Sequence, residues 1–278
     1  MWKDVSNLEK LAIAILGRLS RPPGSPDYAM KGVDYVDTDP LARATAVFPD
    51  FRDVIAGKRV LDFGCGRGYQ AAAMADSGAL VTGVDISRQD LAIAKKTIRG
   101  RNVKLFESIQ TGSEYDVIYS QNSMEHWTEP SAILRLLSDR LASAGRLYIT
   151  FAPPWYAPYG AHMGFFTKVP WVHLIFPERV VMAVRSRYRN DSANTYSSVA
   201  LAKMSIRKFE SLIRKSGLRI LHCRYDAVRG LNFLPHIPML RELFINRVSC
   251  ILEKPARASV RSMDDSRSIT DGLPLLQP

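Results

Sequence analysis

The chain has 278 residues, of which 46% are apolar, and a formal net charge of +11. This size and composition favour one α/β domain with additions over two independent domains, and no stretch has the roughly 18 apolar residues that cross a bilayer. Three cysteines without CxxC or Cys/His metal spacing are too few for a disulfide framework and argue against a zinc site.

Residues 1–20 predict one amphipathic helix, which ends at a Pro-Pro-Gly turn, and residues 41–57 are expected to be partly helical. The apolar run Leu11–Leu16 is short, and acids offset the lysines before it, whereas a signal peptide has a basic start and a longer apolar core. We therefore expect an N-terminal helical cap over residues 1–57 and a cytoplasmic protein.

From residue 58 onward, apolar strands and helices alternate with short loops. Strands are predicted over Lys58–Phe63, Leu80–Val84, Val103–Phe106, Tyr115–Ser120 and Arg146–Phe151. Helices are predicted over Tyr69–Ser77, Ser87–Arg99 and Thr128–Ala142. Such alternation indicates a parallel sheet covered on both faces, whose ligands bind outside the carboxyl ends of the strands.

The alternation stops after Ala152. Residues 153–203, rich in proline, aromatic residues and arginine, are expected to form an insertion. The later elements are one helix and two strands, predicted over Ser205–Ser216, Leu218–Val228 and Phe244–Leu252. The main domain should therefore span residues 58–254, and the polar segment 255–278 is expected to be disordered.

A glycine loop, Asp62-Phe63-Gly64-Cys65-Gly66-Arg67-Gly68, joins the first predicted strand to a helix. Glycines allow a tight turn and close contact between a ligand and the backbone. The spacing differs from the G-x-G-x-x-G fingerprint of dinucleotide sites, because Tyr69 stands where the third glycine belongs. Asp62 would repel a pyrophosphate but suits a ligand with an ammonium group.

Polar residues also follow the next three strands. Asp85, after the second strand, can accept both hydroxyls of a ribose. Glu107 and Ser108 follow the third strand, where they could contact the edge of an adenine ring. The polar loop 120–126 follows the fourth strand. All these residues should meet at one edge of the sheet.

The segments VLDFGCGRG, VTGVD, YDVIYSQNSMEH and AGRLYIT resemble the class I S-adenosylmethionine-dependent methyltransferases, especially the ubiquinone- and menaquinone-biosynthesis type. The resemblance covers about residues 58–152, with weaker support at 204–254. It implies S-adenosylmethionine as the cofactor. It also implies a Rossmann-like, seven-stranded, mostly parallel sheet with helices on both faces and an antiparallel last strand. The insertion at 153–203 would then lie on the side of the methyl acceptor.

The resemblance also implies roles for single residues. The glycine loop would hold the methionine part of the cofactor. Asp85, after the second strand, would hold the ribose hydroxyls, and Ile86, the next residue, would pack on the adenine. Glutamate departs from the aspartate that many relatives carry after the third strand. The implied cofactor-binding residues are Asp62, Gly64, Cys65, Gly66, Asp85, Ile86, Glu107, Ser108 and Gln121. Cys65 is expected to be a small filler residue and not a reactive thiol.

An acceptor hydroxyl usually needs a base to take its proton. His162 lies in an aromatic, proline-rich loop directly after the fifth strand, and His126 lies in the loop after the fourth strand. We predict these two as the catalytic residues, although a loop histidine bonded to the backbone and a packing role beside the cofactor remain alternatives. His173 lies in an apolar run and is expected to be a core histidine. We expect no metal.

Residues 165–189 combine an apolar run with three arginines, Arg185, Arg187 and Arg189. This pattern suits the headgroup region of a bilayer and suggests a peripheral contact with the inner membrane face. It equally suits a lid over an apolar or phosphate-bearing acceptor, a cap packed on the core, or a dimer interface.

We favour a small-molecule, glycan or lipid-linked acceptor, with O-methylation. The alternative is RNA or DNA methylation by the basic C-terminal half, since residues 178–247 hold 14 Lys/Arg against five Asp/Glu. However, the loop after the fourth strand lacks an Asn/Asp-Pro-Pro-aromatic tetrad, so a nucleic-acid partner is disfavoured. A binding module without chemistry and a nicotinamide oxidoreductase are further alternatives, disfavoured by the intact Asp62 and Asp85 and by the glycine spacing.

Overall fold

The fold is given by a computed structural model that describes residues 6–22, 39–228, 231, 233–238 and 240–255. The predicted disordered tail lies outside the described residues except for Pro255. Seven strands form one sheet in the order β3-β2-β1-β4-β5-β7-β6. Their bounds are β1 Arg59–Phe63, β2 Leu80–Val84, β3 Val103–Phe106, β4 Tyr115–Gln121, β5 Leu141–Phe151, β6 Arg219–Ala227 and β7 Ile245–Glu253.

The first five strands are parallel, and β7 is antiparallel to both of its neighbours, β5 and β6. From β1 the strands β2 and β3 extend the sheet in one direction, and from β4 the later strands extend it in the other. This change of direction leaves a crevice at the carboxyl ends of β1 and β4, where ligands bind in such sheets. The predicted fold class, a Rossmann-like sheet with an antiparallel last strand, is confirmed.

Helices flank the strands, and several begin or end at the residues that the sequence indicates. Ser6, Ser87 and Ser205 each accept a hydrogen bond from the first turn of the following helix, and Gly217 ends a helix in the left-handed conformation. The helices are α1 Asn7–Leu19, α2 Ala42–Val47, α3 Phe51–Ile55, α4 Tyr69–Asp76, α5 Arg88–Thr97, α6 Pro130–Arg140, α7 Val172–Ile175, α8 Glu178–Arg185, α9 Ile206–Ser216 and α10 Arg241–Phe244.

The sheet has a core on each face. On one face α2, α3 and α4 pack against β-strand residues such as Val60, Tyr119 and Tyr148. On the other face α6 and α9 cover Leu61 and Ile149 among others. Because successive strand residues point to opposite faces, the apolar strands fill both cores at once.

The insertion at 153–203 has a core of its own, which it shares with the N-terminal helix. Leu16 of α1 is fully buried in it beside Phe166 and Val181. The helices α2 and α3 instead pack on the sheet. The described parts of the expected cap, residues 6–22 and 39–57, are therefore divided between two cores, and α1 belongs structurally with the insertion.

One boundary differs clearly from the sequence prediction. Helix α6 ends at Arg140 and β5 begins at Leu141, whereas the sequence predicted helix to Ala142 and strand only from Arg146. The reason is a bulge, since Leu141 pairs with Tyr115 before the regular register resumes at Val117 and Arg146. Long-range pairing of this kind leaves no local pattern in the sequence.

Candidate active site

The glycine loop after β1 is fixed by its neighbours. The amides of Gly64 and Cys65 donate to the Val84 carbonyl at 2.8 and 3.0 Å, which ties the loop to the end of β2. Gly64 has φ +80°, and a Cβ built on it would lie 2.6 Å from Oγ of Ser123 in the loop after β4. Gly66 has φ +50°, and no neighbouring atom lies within 4 Å of a Cβ built on it. The loop is thus held tightly at Gly64, while Gly66 faces open space where a ligand can approach the backbone.

Asp85, at the end of β2, holds two backbone segments together. Its Oδ2 accepts a hydrogen bond from the Gly66 amide at 2.8 Å, and its Oδ1 accepts one from the Ser87 amide at 2.8 Å. A carboxylate has about four lone-pair sites, so two remain for hydroxyl groups of a ligand. The next residue, Ile86, is 90% exposed, which leaves an apolar surface beside this carboxylate.

Asp62, at the end of β1, is a second and much more buried carboxylate. It is 3% exposed, accepts a hydrogen bond from the Ala71 backbone in the first turn of α4, and has no partner at Oδ2. Burial raises its pKa to about 7, and the nearby charge of Asp85 adds to that rise. A buried carboxylate oxygen without a donor is costly, so the site favours a cationic donor such as an ammonium group.

Cys65 fills the space between the glycine loop and β2. A Cβ on Gly83 would lie 3.0 Å from its Sγ. Burial raises the pKa of the thiol well above its usual range, and the charges of Asp62 and Asp85 raise it further. Because only the thiolate is strongly nucleophilic, the chemistry of Cys65 matches a packing role.

The residues after β3 have partners of their own. The Glu107 carboxylate bonds Nε of Arg88 at 2.9 Å, and the Ser108 carbonyl accepts from the Gln110 side chain at 3.0 Å. Both Arg88 and Glu107 are largely exposed. An exposed ion pair of this kind contributes little stability, so it leaves Glu107 able to rearrange around a ligand.

The loop after β4 carries Gln121 and a single 3-10 turn, Met124–His126. The Tyr119 hydroxyl donates to Oε1 of Gln121, so the side-chain amide can act at this edge as a donor. In the turn, the Ser123 hydroxyl accepts from Trp127 Nε1 at 3.0 Å. This bond holds Ser123 against Gly64.

The structure brings the two predicted catalytic histidines together, with ring centroids of His126 and His162 5.5 Å apart. Nδ1 of His126 lies 2.9 Å from the Ala200 carbonyl, and His162 hydrogen-bonds the Pro153 backbone while its Nε2 has no partner. A carbonyl can only accept, so the ring nitrogen that faces it donates. In the neutral form of such a ring the other nitrogen, Nε2, carries the lone pair. Nε2 is the nitrogen that can take a proton.

The surroundings of the two rings differ. His126 is exposed, whereas Nε2 of His162 is buried. Burial lowers the pKa of His162 to about 4, and His126 lowers it further by like-charge repulsion. His162 is therefore neutral near pH 7, and His126 is the more exposed of the two rings.

Glu125 is a functional candidate that the sequence analysis missed. It is 3% exposed, accepts a hydrogen bond from the Ala152 backbone, and has no partner at Oε2. Burial raises its pKa to about 7. An acid beside a histidine in a polar loop suggests a surface position, and only the tertiary contact with the end of β5 reveals its burial.

The same turn also holds the insertion in place. The Ala202 amide donates to the Glu125 carbonyl at 2.9 Å, next to the bond between His126 and Ala200. His173, in the insertion, is 8% exposed with Nε2 2.5 Å from the Trp155 carbonyl, as suits a core histidine. Among the described residues, no group of three His, Cys, Asp or Glu side chains could hold a metal ion.

Comparison with known proteins gives matches at the level of family, sequence and fold. A family model described as a methyltransferase domain matches residues 38–223. A ubiquinone biosynthesis O-methyltransferase of Aeromonas salmonicida is 33% identical over 102 residues, which are 34% of this chain and 43% of that protein. A protein of the same name from Idiomarina loihiensis is 34% identical over 106 residues, 35% of this chain and 44% of that protein. The chain thus matches less than half the length of these relatives.

Solved structures resemble the fold. An S-adenosylmethionine-dependent methyltransferase of Mesorhizobium loti aligns with a TM-score of 0.50 and 17% identity, over 75% of this chain and 97% of that protein. At this identity the likeness concerns the fold alone, and it agrees with the Rossmann-like fold described above.

Proposed function

This chain belongs to the methyltransferase-domain family, and we propose that it moves the methyl group of S-adenosylmethionine to a small-molecule, glycan or lipid-linked acceptor, with oxygen as the favoured acceptor atom. The observation that carries the proposal is the pair of carboxylates at the carboxyl edge, Asp62 and Asp85. One lacks a cationic partner and the other has lone pairs to spare.

The residues at the edge fit the parts of this cofactor. Asp62, with its unpartnered Oδ2, would take the ammonium group, and the methionine part would lie against the open space at the Gly66 Cα. Asp85 would accept the ribose hydroxyls, and the exposed Ile86 side chain would cover the adenine. Gln121 would donate to the methionine carboxylate.

The bound cofactor supplies an activated methyl group on a sulfonium, so the protein has to align the acceptor and exclude water. Tyr156 and Tyr159, both partly exposed in the loop after β5 that also carries His162, would offer apolar walls to the acceptor. A hydrogen bond from the Trp155 amide to the Met204 carbonyl, at 2.7 Å, ties this loop to the segment before α9.

His126 is the proposed proton acceptor. Its Nδ1 is fixed on Ala200, so Nε2 can take the hydroxyl proton while the acceptor oxygen gains the methyl group. His162, kept neutral by burial, lies beside it and adds no positive charge near the sulfonium.

The names of the matched relatives support oxygen as the acceptor atom, since both are O-methyltransferases. The partial match to those proteins makes the acceptor itself a proposal, and ubiquinone precursors are one class to test. Nucleic acid remains the less favoured acceptor, because support for it comes from the basic charge alone.

Calorimetric titration with S-adenosylhomocysteine, beside NADH, tests the cofactor. We expect micromolar binding of S-adenosylhomocysteine only, weakened about tenfold or more by Asp85→Ala, which removes charge-assisted hydrogen bonds. Asp53→Asn, on α3 away from the carboxyl edge, is the matched control and should bind like the natural chain. Binding of NADH, or unchanged affinity in Asp85→Ala, would refute the proposed cofactor site.

A further inference from the structure

Helix α1 has one buried side and one solvent-exposed side. Leu16 is fully buried in the core of the insertion, and Ala12 and Ile13 pack partly against the same core. Outside this core, four large apolar side chains of α1 are exposed: Leu8 79%, Leu11 58%, Ile15 44% and Leu19 57%. We call these four residues the α1 stripe.

The α1 stripe is continuous. Its members are spaced by three, four and four residues, which places them on one side of an α-helix. From Leu8 to Leu19 the stripe is about 16 Å long at 1.5 Å per residue. Single exposed leucines are ordinary on protein surfaces, but a contiguous apolar row marks a contact site.

Helix α1 and the neighbouring helix α8 carry a net positive charge. Residues 6–22 and 178–189 carry seven Lys/Arg and two Glu. Of these seven basic residues only Arg185 is buried, and it forms an ion pair with Asp191. Exposed Lys10 and Arg18 lie on α1 itself.

The apolar run at residues 165–189, which the sequence suggested as a membrane contact, is turned mostly inward. Phe166, Val172, Val180, Val181, Met182 and Val184 are at most 2% exposed, and they form the core on which α1 rests. Leu174 and Ile175 are the large apolar residues of this run with substantial exposure. The contact surface is therefore better sought on α1.

We infer that the α1 stripe docks on an anionic lipid surface, with α1 lying flat and its leucines entering the headgroup region. Helices that combine an apolar row with basic residues bind anionic membrane surfaces in this way. None of the helices in the described part of the chain qualifies as a membrane-spanning segment. A second copy of this chain is a poorer occupant, because paired stripes would bring two basic surfaces together. The inference does not depend on methyl transfer.

Vesicle flotation tests this inference on the full chain, with phosphatidylcholine vesicles with and without phosphatidylglycerol. We expect binding only to the anionic vesicles, weaker at high salt. The variant with Leu8→Gln, Leu11→Gln, Ile15→Gln and Leu19→Gln should bind about tenfold or more weakly, since it removes the apolar contact. Glutamine is a good helix former, and circular dichroism and thermal melting check that the fold is kept.

A matched control variant changes four exposed apolar residues elsewhere, Leu80→Gln, Leu136→Gln, Ile220→Gln and Leu221→Gln. It should float with anionic vesicles as the natural chain does. Equal loss in both variants, or no flotation of the natural chain, would overturn the inference. So would a dimer in sedimentation velocity that the α1 variant alone abolishes, since this would assign the stripe to a second copy.

Discussion

The amide nitrogen of Gly66 lies 2.8 Å from Oδ2 of Asp85, so the glycine loop after β1 and the acid after β2 are joined by a direct hydrogen bond. The same carboxylate holds the Ser87 amide, which belongs to the N-terminus of α5. One side chain therefore sets the position of two backbone segments before any ligand arrives. Such preorganisation reduces the ordering cost of binding.

The first prediction concerns the two loop glycines. Gly64→Ala should destabilise the protein by about 1–3 kcal/mol, because the new Cβ meets Ser123 at 2.6 Å in a left-handed backbone. Gly66→Ala, with no atom within 4 Å, should lose only about 1 kcal/mol from backbone strain. Urea unfolding measures both. Adding Ser123→Gly should recover part of the loss in Gly64→Ala only; equal losses in the two single variants would contradict the packing argument.

The second prediction concerns Asp62. Its pKa of about 7 means that part of the population is protonated at neutral pH, and an ammonium group stabilises the ionised form. Binding of S-adenosylhomocysteine below pH 7 should therefore release a proton, and affinity should rise as pH increases to about 7. Calorimetry in buffers of different ionisation enthalpy counts the proton. Asp62→Asn should bind more weakly and release fewer protons, whereas Asp53→Asn should match the natural chain.

The sheet could be predicted closely from the sequence because its strands are short apolar runs between glycines and capping residues. Val60, Leu61 and Phe63 give one such run, and Gly64 ends it. The start of β5 could not, since the pairing of Leu141 with Tyr115 is set by the neighbouring strand. The same holds for α1, whose amphipathic pattern was visible but whose partner, the insertion, was not.

The residue types in the sequence predicted which residues lie at the carboxyl edge of the sheet. The burial of each side chain, which determines its possible chemical role, could not be predicted in the same way. The sequence identified His126 and His162 as candidates, and only the fold shows that one is exposed while Nε2 of the other is buried. Glu125 was missed for the same reason, because the Ala152 amide that holds it lies far along the chain. Long-range contacts of this kind leave no local signature.

The third prediction concerns Glu125 and pH. Its folded-state pKa of about 7 exceeds the ordinary value of 4.5, so the unfolded chain loses this proton first as pH rises. The protein should therefore lose stability between about pH 4.5 and 7 and change little above that, with Asp62 contributing in the same direction. Glu125→Gln keeps the acceptor for the Ala152 amide and should reduce this loss by about 3 kcal/mol, the equivalent of that pKa difference.

Urea unfolding at pH 5 and pH 8 measures this effect. Glu129→Gln, an exposed neighbour, is the control and should leave the difference between the two pH values unchanged. If Glu125→Gln behaves like the control, the carboxyl of Glu125 is ionised at neutral pH in the folded protein and the proposed burial effect is absent.

The fourth prediction separates the two histidines. Asparagine can mimic the Nδ1 donor of histidine but lacks Nε2, so His126→Asn keeps the bond to Ala200 and removes the proposed base. It should lower kcat by about 10²–10⁴-fold, the usual contribution of a positioned general base, with little change in S-adenosylhomocysteine affinity. His162→Asn should lower kcat less than about tenfold, because its Nε2 is buried and we expect it not to contact the acceptor. Methyl transfer from labelled cofactor to catechols, methyl glycosides and polyprenyl phosphates measures both, and a larger loss in His162→Asn would reverse the assignment of the base.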